Sequence, residues 1–185
     1  MKTIYLRYAP DEEIPALPLI RKRKLLKYYT RETFAAVLAV ARLLEGEAFP
    51  SSIPFYYASA DNENFACYRD VFPKFLERGV HCFDAERYIA LSPPTSLFKS
   101  MRNMVPCFIS IEYGLRGDNN VIVDSASALL YAALTAPGEG KVLVGAGYLH
   151  ADNSVETGFA LARPSEFEGH PLLGSAATAI TLFRP

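Results

Sequence analysis

The side chains best placed to do chemistry lie in Asp124-Ser125-Ala126-Ser127, where a short apolar run meets an alanine- and leucine-rich stretch. A serine at a strand-to-helix junction sits beside free backbone N–H groups that favour developing negative charge. Ser125 is therefore a candidate acyl acceptor, with Asp124 next to it. The same residue types also make ordinary helix N-caps, in which Asp124 or Ser125 accepts a bond from a free N–H. A serine hydroxyl is a poor nucleophile without a general base, and no histidine lies near in sequence. The cap is the expected role.

The other reactive residue types form no constellation. His81, His150 and His170 lack the spacing of metal ligands, so neither a metal nor a cofactor is expected. His150 follows a strand-like run and could face the carboxyl ends of the strands, but a surface or loop histidine is the simpler reading. Cys67, Cys82 and Cys107 are odd in number and widely spaced, which argues against a disulfide framework or a CxxC site. Cys107, within MVPCFISI, is expected to pack in a buried helix. Gly145-Ala146-Gly147 lacks the third glycine of a phosphate-cradling loop and follows the fourth strand, so close packing is expected there. Arg21-Lys22-Arg23-Lys24, with Lys27 beyond, reads first as a solvated helix start.

The elements that must position these residues alternate in type. Thr3–Tyr8, Ile53–Ala58, Asn120–Val123, Lys141–Ala146 and Ala176–Phe183 read as strands, and Asp11–Leu19, with its prolines, as a loop. Thr30–Leu44 reads as an amphipathic helix through Phe34, Val37, Leu38, Ala41 and Leu44, with Thr30 as N-cap and Gly46 as terminator. Further helices are expected over Asn64–Arg78, interrupted near Pro73, over Ser100–Tyr113, which contains Pro106, and over Ser125–Thr135. Strands alternating with helices imply one α/β domain over residues 1–185, a mixed five-stranded sheet with helices on both faces.

The stretch Ser92–Tyr148 resembles the segment that carries the nucleophile in β-ketoacyl synthases. Gly114-Leu115-Arg116-Gly117 is similar to the turn that ends a helix in those condensing enzymes, and Asn120–Val123 to the short buried strand that follows. Ala126 then falls where their cysteine stands; a shift of one residue would put Ser125 or Ser127 there. The resemblance implies a thiolase-like half-domain, and the chain is similar to about the N-terminal half of such an enzyme. It also implies that the two basic side chains of the chemistry, which the family draws from the other half, are absent.

The resemblance thus implies a pseudoenzyme, a noncatalytic ketosynthase-like protein in bacterial fatty-acid, polyketide or aryl-polyene-type biosynthesis. In the family the third strand lies at the sheet edge and pairs antiparallel with its copy. The implied contact with a second copy, or with a full-length ketosynthase subunit, is therefore the strand Asn119, Asn120, Val121, Ile122, Val123 and Asp124. Arg21, Lys22, Arg23, Lys24 and Lys27 lie where condensing enzymes carry a basic cluster, which implies docking of an acidic acyl carrier protein. The alternatives are a serine-dependent acyltransferase or hydrolase, and a carrier-protein-binding module without turnover. A net charge of -1 gives no support to a nucleic-acid partner. No apolar run has the length of a signal peptide or a membrane span, so a cytoplasmic protein is expected.

Overall fold

A computed structural model describes residues 1–60, 86, 90, 95, 98, 99, 101–138 and 140–185. The helix expected over Asn64–Arg78, together with Cys67, His81 and Cys82, lies outside these residues. Strand β1 (Lys2–Tyr8) opens the chain. Two 3-10 turns, Leu17–Leu19 and Arg23–Tyr28, carry it to helix α1 (Arg31–Leu44). Thr30 caps α1 as its sequence predicts: its hydroxyl accepts from the Thr33 N–H at 3.2 Å. Glu45, left-handed at φ 51°, ends the helix one residue before Gly46.

Strand β2 (Phe55–Ser59) is followed, beyond residue 100, by helix α2 (Met104–Tyr113). Pro106 sits in the first turn of α2, where a missing N–H breaks no intrahelical bond. Gly114 closes the helix with φ 69°, and its N–H donates to the Ser110 carbonyl. Gly117 passes so close to the β2 approach that a Cβ there would lie 2.3 Å from the carbonyl oxygens of Ser52 and Ile53. Strand β3 (Asn119–Val123), helix α3 (Ala126–Leu134), strand β4 (Val142–Leu149) and strand β5 (Val155–Ala162) complete the regular elements.

The five strands form one mixed sheet in the order β1-β5-β4-β2-β3. Strands β2, β3 and β4 run parallel, while β5 is antiparallel to both β4 and β1. Period-two alternation sends Phe55, Tyr57, Leu143 and Phe159 to the face covered by α1 and α2. Tyr56, Ala58, Val144 and Ala160 go to the other face, against Leu129, Leu130 and Ala133 of α3. The expected α/β class, with a mixed sheet and helices on both faces, is therefore observed.

One strand is placed differently from the sequence reading. Ala176–Phe183 is not the closing strand; it contains a 3-10 turn, Ala179–Leu182, and Ala179, Ile180 and the following Phe183 pack against the α3 face. The fifth strand is Val155–Ala162, paired to β4 across the short turn at Asn153, which is left-handed at φ 73°. Both faces of β5 are covered, so its side chains are not sorted into apolar and polar sets and no alternation marks it. Small residues followed by Ile180 and Phe183 suit a turn that plugs a core as well as they suit a strand.

Candidate functional site

The β3–α3 junction is a sharp elbow. Asp124 adopts φ 22°, and its N–H donates to the Ser59 carbonyl at 3.1 Å. Its Oδ1 accepts from the Ala179 N–H at 3.2 Å. Burial pushes the Asp124 carboxyl above its ordinary range, opposed by that bond and by the Arg184 charge. Ser125 is the N-cap of α3, its Oγ accepting from the Ala128 N–H at 3.1 Å. Ser127 Oγ accepts from the Gly174 N–H at 2.8 Å, and the Ala126 N–H donates to the Ala177 carbonyl at 3.0 Å.

Residues Gly174–Ala179 therefore lie over the helix start where an acyl group would have to approach. Ala126 has no exposed surface at all. The free N–H of Ala126, which an oxyanion would need, is spent on the chain's own carbonyl. No histidine bonds to Ser125 or Ser127 among the described residues.

The histidines that are described sit elsewhere. His150 Nε2 lies 2.8 Å from Glu156 Oε1, and His170 Nδ1 accepts from the Leu172 N–H at 3.2 Å. Glu156 is buried and also receives the Tyr5 hydroxyl at 2.5 Å and two N–H groups of the Arg184 guanidinium at 2.8 and 2.9 Å. Burial alone would raise the Glu156 carboxyl; the bonds from Arg184, Tyr5 and His150 outweigh it and hold the group at about 2. Cys107 is exposed, not packed as its apolar neighbours predict. Helix α2 buries Val105, Phe108, Ile109 and Glu112, and the spacing places Cys107 and Ile111 on the opposite side. The Gly145-Ala146-Gly147 run lies inside β4, so it forms no phosphate loop.

Two further buried carboxylates carry no local mark in the sequence. Glu32, in the first turn of α1, accepts the Tyr57 hydroxyl at 2.7 Å in the core. Burial pushes it up to about 7, with the Tyr57 bond opposing. The space is left by Gly147, whose Cβ would lie 2.0 Å from the Tyr57 oxygen. Glu112 accepts the N–H groups of Arg21 and Lys22, at 2.8 and 3.1 Å, and the Tyr29 hydroxyl at 2.8 Å. It thereby fixes the base of the cationic segment, in which Arg21, Lys22, Arg23, Lys24 and Lys27 are all exposed while Leu25 and Leu26 pack inward. Nothing local marks a helix-start or a helix-end glutamate for burial; the tertiary partners decide it.

The second candidate surface is β3. No other described strand pairs with its outer edge. Val123 is 51% exposed, and on the neighbouring helix Ile111 is 42% exposed. Between α2 and this edge runs an open groove of about 600 Å³ that includes Pro106, Cys107, Ile111, Leu115, Asn120 and Val121. Among the described residues no group of side chains could hold a metal ion, and no helix is long and apolar enough to cross a membrane. No protein-family model matches the chain, and no curated protein matches it.

Proposed function

We propose that this chain is a noncatalytic assembly protein, a ketosynthase-like half-domain of thiolase-like fold that pairs with a second copy or with a full-length condensing subunit. The observation that carries this reading is the outer edge of β3. A strand whose outer edge no described strand covers, with Val123 half exposed, invites pairing unless something covers it. The elbow supports the noncatalytic part, because a buried alanine stands at its helix start and both neighbouring serines accept backbone bonds. The same occupancy weighs against serine-dependent acyl transfer. The setting would be bacterial fatty-acid, polyketide or aryl-polyene-type synthesis in the cytoplasm.

A second contact follows from the cations at 21–27, whose exposure and fixed base favour an acidic partner of the acyl-carrier-protein kind. Light scattering of the wild-type chain, alone and with pathway synthases, tests the assembly. Asn120→Arg, which brings like charges together at the shared edge, should weaken association while circular dichroism stays unchanged. A wild-type chain that remains monomeric alone and with every synthase tested would sink the proposal. Carrier-protein docking is tested separately, by loss of binding when Arg23, Lys24 and Lys27 are reversed to glutamate.

A further inference from the structure

We infer that the segment from Leu17 to Tyr28, with Phe98 beside it, is a docking surface for an anionic lipid bilayer. This goes beyond the assembly reading and does not depend on it. Five of the chain's 19 basic residues fall between Arg21 and Lys27, although the whole molecule carries a net charge of -1. All five are exposed, and none forms an ion pair with a described carboxylate. Glu47 lines the same hollow as Arg21 without pairing with it. The positive field is therefore local, and it turns this one face toward a negative surface.

The backbone beneath the cations is fixed. Glu112 of α2 accepts the N–H groups of Arg21 and Lys22 and the hydroxyl of Tyr29, so both ends of the segment close on one carboxylate. Leu25 and Leu26 pack inward, which leaves the charged side chains as the outer layer. Large apolar side chains stand at both ends of that layer. Leu17 is 54% and Leu19 37% exposed on the turn just before it. At the other end Lys27 Nζ lies 4.9 Å from the centre of the Tyr28 ring, Tyr28 meets Phe98 edge-on at 5.3 Å, and Phe98 is itself 43% exposed. A bilayer takes both kinds of group: Lys and Arg heads meet anionic headgroups while single leucine and phenylalanine side chains enter the acyl boundary. An acidic carrier protein needs only the charges, and lysine is depleted in protein–protein contacts. The exposed apolar side chains are what favour the lipid surface.

Co-sedimentation with vesicles tests this, using phosphatidylcholine alone and phosphatidylcholine mixed with phosphatidylglycerol. The wild-type chain should bind the mixed vesicles, ignore the neutral ones and come off as salt is raised. Arg23→Glu, Lys24→Glu and Lys27→Glu together should weaken partition by about a hundredfold or more. Leu17→Ser with Leu19→Ser, both at exposed positions, should weaken it by about tenfold with the charges intact. The chain has no tryptophan, so Leu17→Trp supplies a single reporter whose emission should shift to the blue on mixed vesicles alone. Circular dichroism checks each fold, and the wild-type composition and salt series decide the matter should a variant unfold. Equal binding to both compositions, or binding to neither, overturns the inference, as does an unshifted reporter on vesicles that retain the protein. A chain that binds an acyl carrier protein but ignores the mixed vesicles keeps the carrier contact and loses the lipid one. Vesicle binding by a chain that never dimerises supports the lipid surface while the assembly reading fails.

Discussion

Glu32 is a carboxyl group that burial keeps protonated through mildly acidic pH. Its folded value of about 7 lies above the ordinary 4.5, so its contribution is fully present below about pH 4.5 and is lost as pH rises toward 7. Glu32→Gln keeps the acceptor for Tyr57 without the charge. The variant should therefore match wild type at pH 4 and exceed it at pH 8 by up to about 3 kcal/mol in urea unfolding. Equal stabilities at pH 8 would mean that the carboxylate is solvated in the folded chain. At the elbow, Ala126→Cys puts a thiol into a site with no exposed surface. It should form no acyl adduct with an activated thioester by intact-mass measurement, and overpacking should cost about 1–3 kcal/mol.

At the scale of elements, the elbow, the turn before β3 and β3 itself make separate demands. Gly117→Ala would drive a Cβ into two backbone carbonyls, which cannot move aside as a flexible side chain can. A loss of about 2 kcal/mol or more is expected, and a thermal midpoint equal to wild type would show that the turn relaxes freely. Within β3, Ile122 packs toward the α3 face whereas Val123 is half exposed. Ile122→Ala should cost about 1–2 kcal/mol, toward or below the low end of core truncations, and Val123→Ala much less in the monomer. If both were silent in denaturant titrations, β3 would not be anchored in the sheet as described.

For the whole molecule, two of the buried carboxylates, Glu156 and Glu32, set opposite pH slopes. Glu156, held at about 2 by Arg184, Tyr5 and His150, contributes stability above about pH 4.5 that is lost as pH falls toward 2. Glu32 acts in the other direction above that point. Thermal midpoints from pH 3 to 8 should therefore fall on both sides of a maximum near pH 5. Arg184→Ala should lower stability near neutral pH and flatten the acid limb, because without its strongest partner the folded Glu156 value moves back toward its ordinary 4.5. The sequence alone determined the elements whose signals are local: the β1 run, the Thr30 cap, the α1 stripe, and a cap on α3 at Asp124 or Ser125, of which the structure shows Ser125. It also determined the α/β class, because alternating strand and helix patterns survive in a single chain. Only the tertiary structure decided that the last strand is Val155–Ala162, since a strand covered on both faces carries no alternation. It alone showed Cys107 facing solvent, Glu32 and Glu156 inside, and residues 174–179 over the start of α3. Those facts depend on contacts between segments far apart in the chain, and no local pattern encodes which side of an apolar helix will be left open or which acid will find a buried donor.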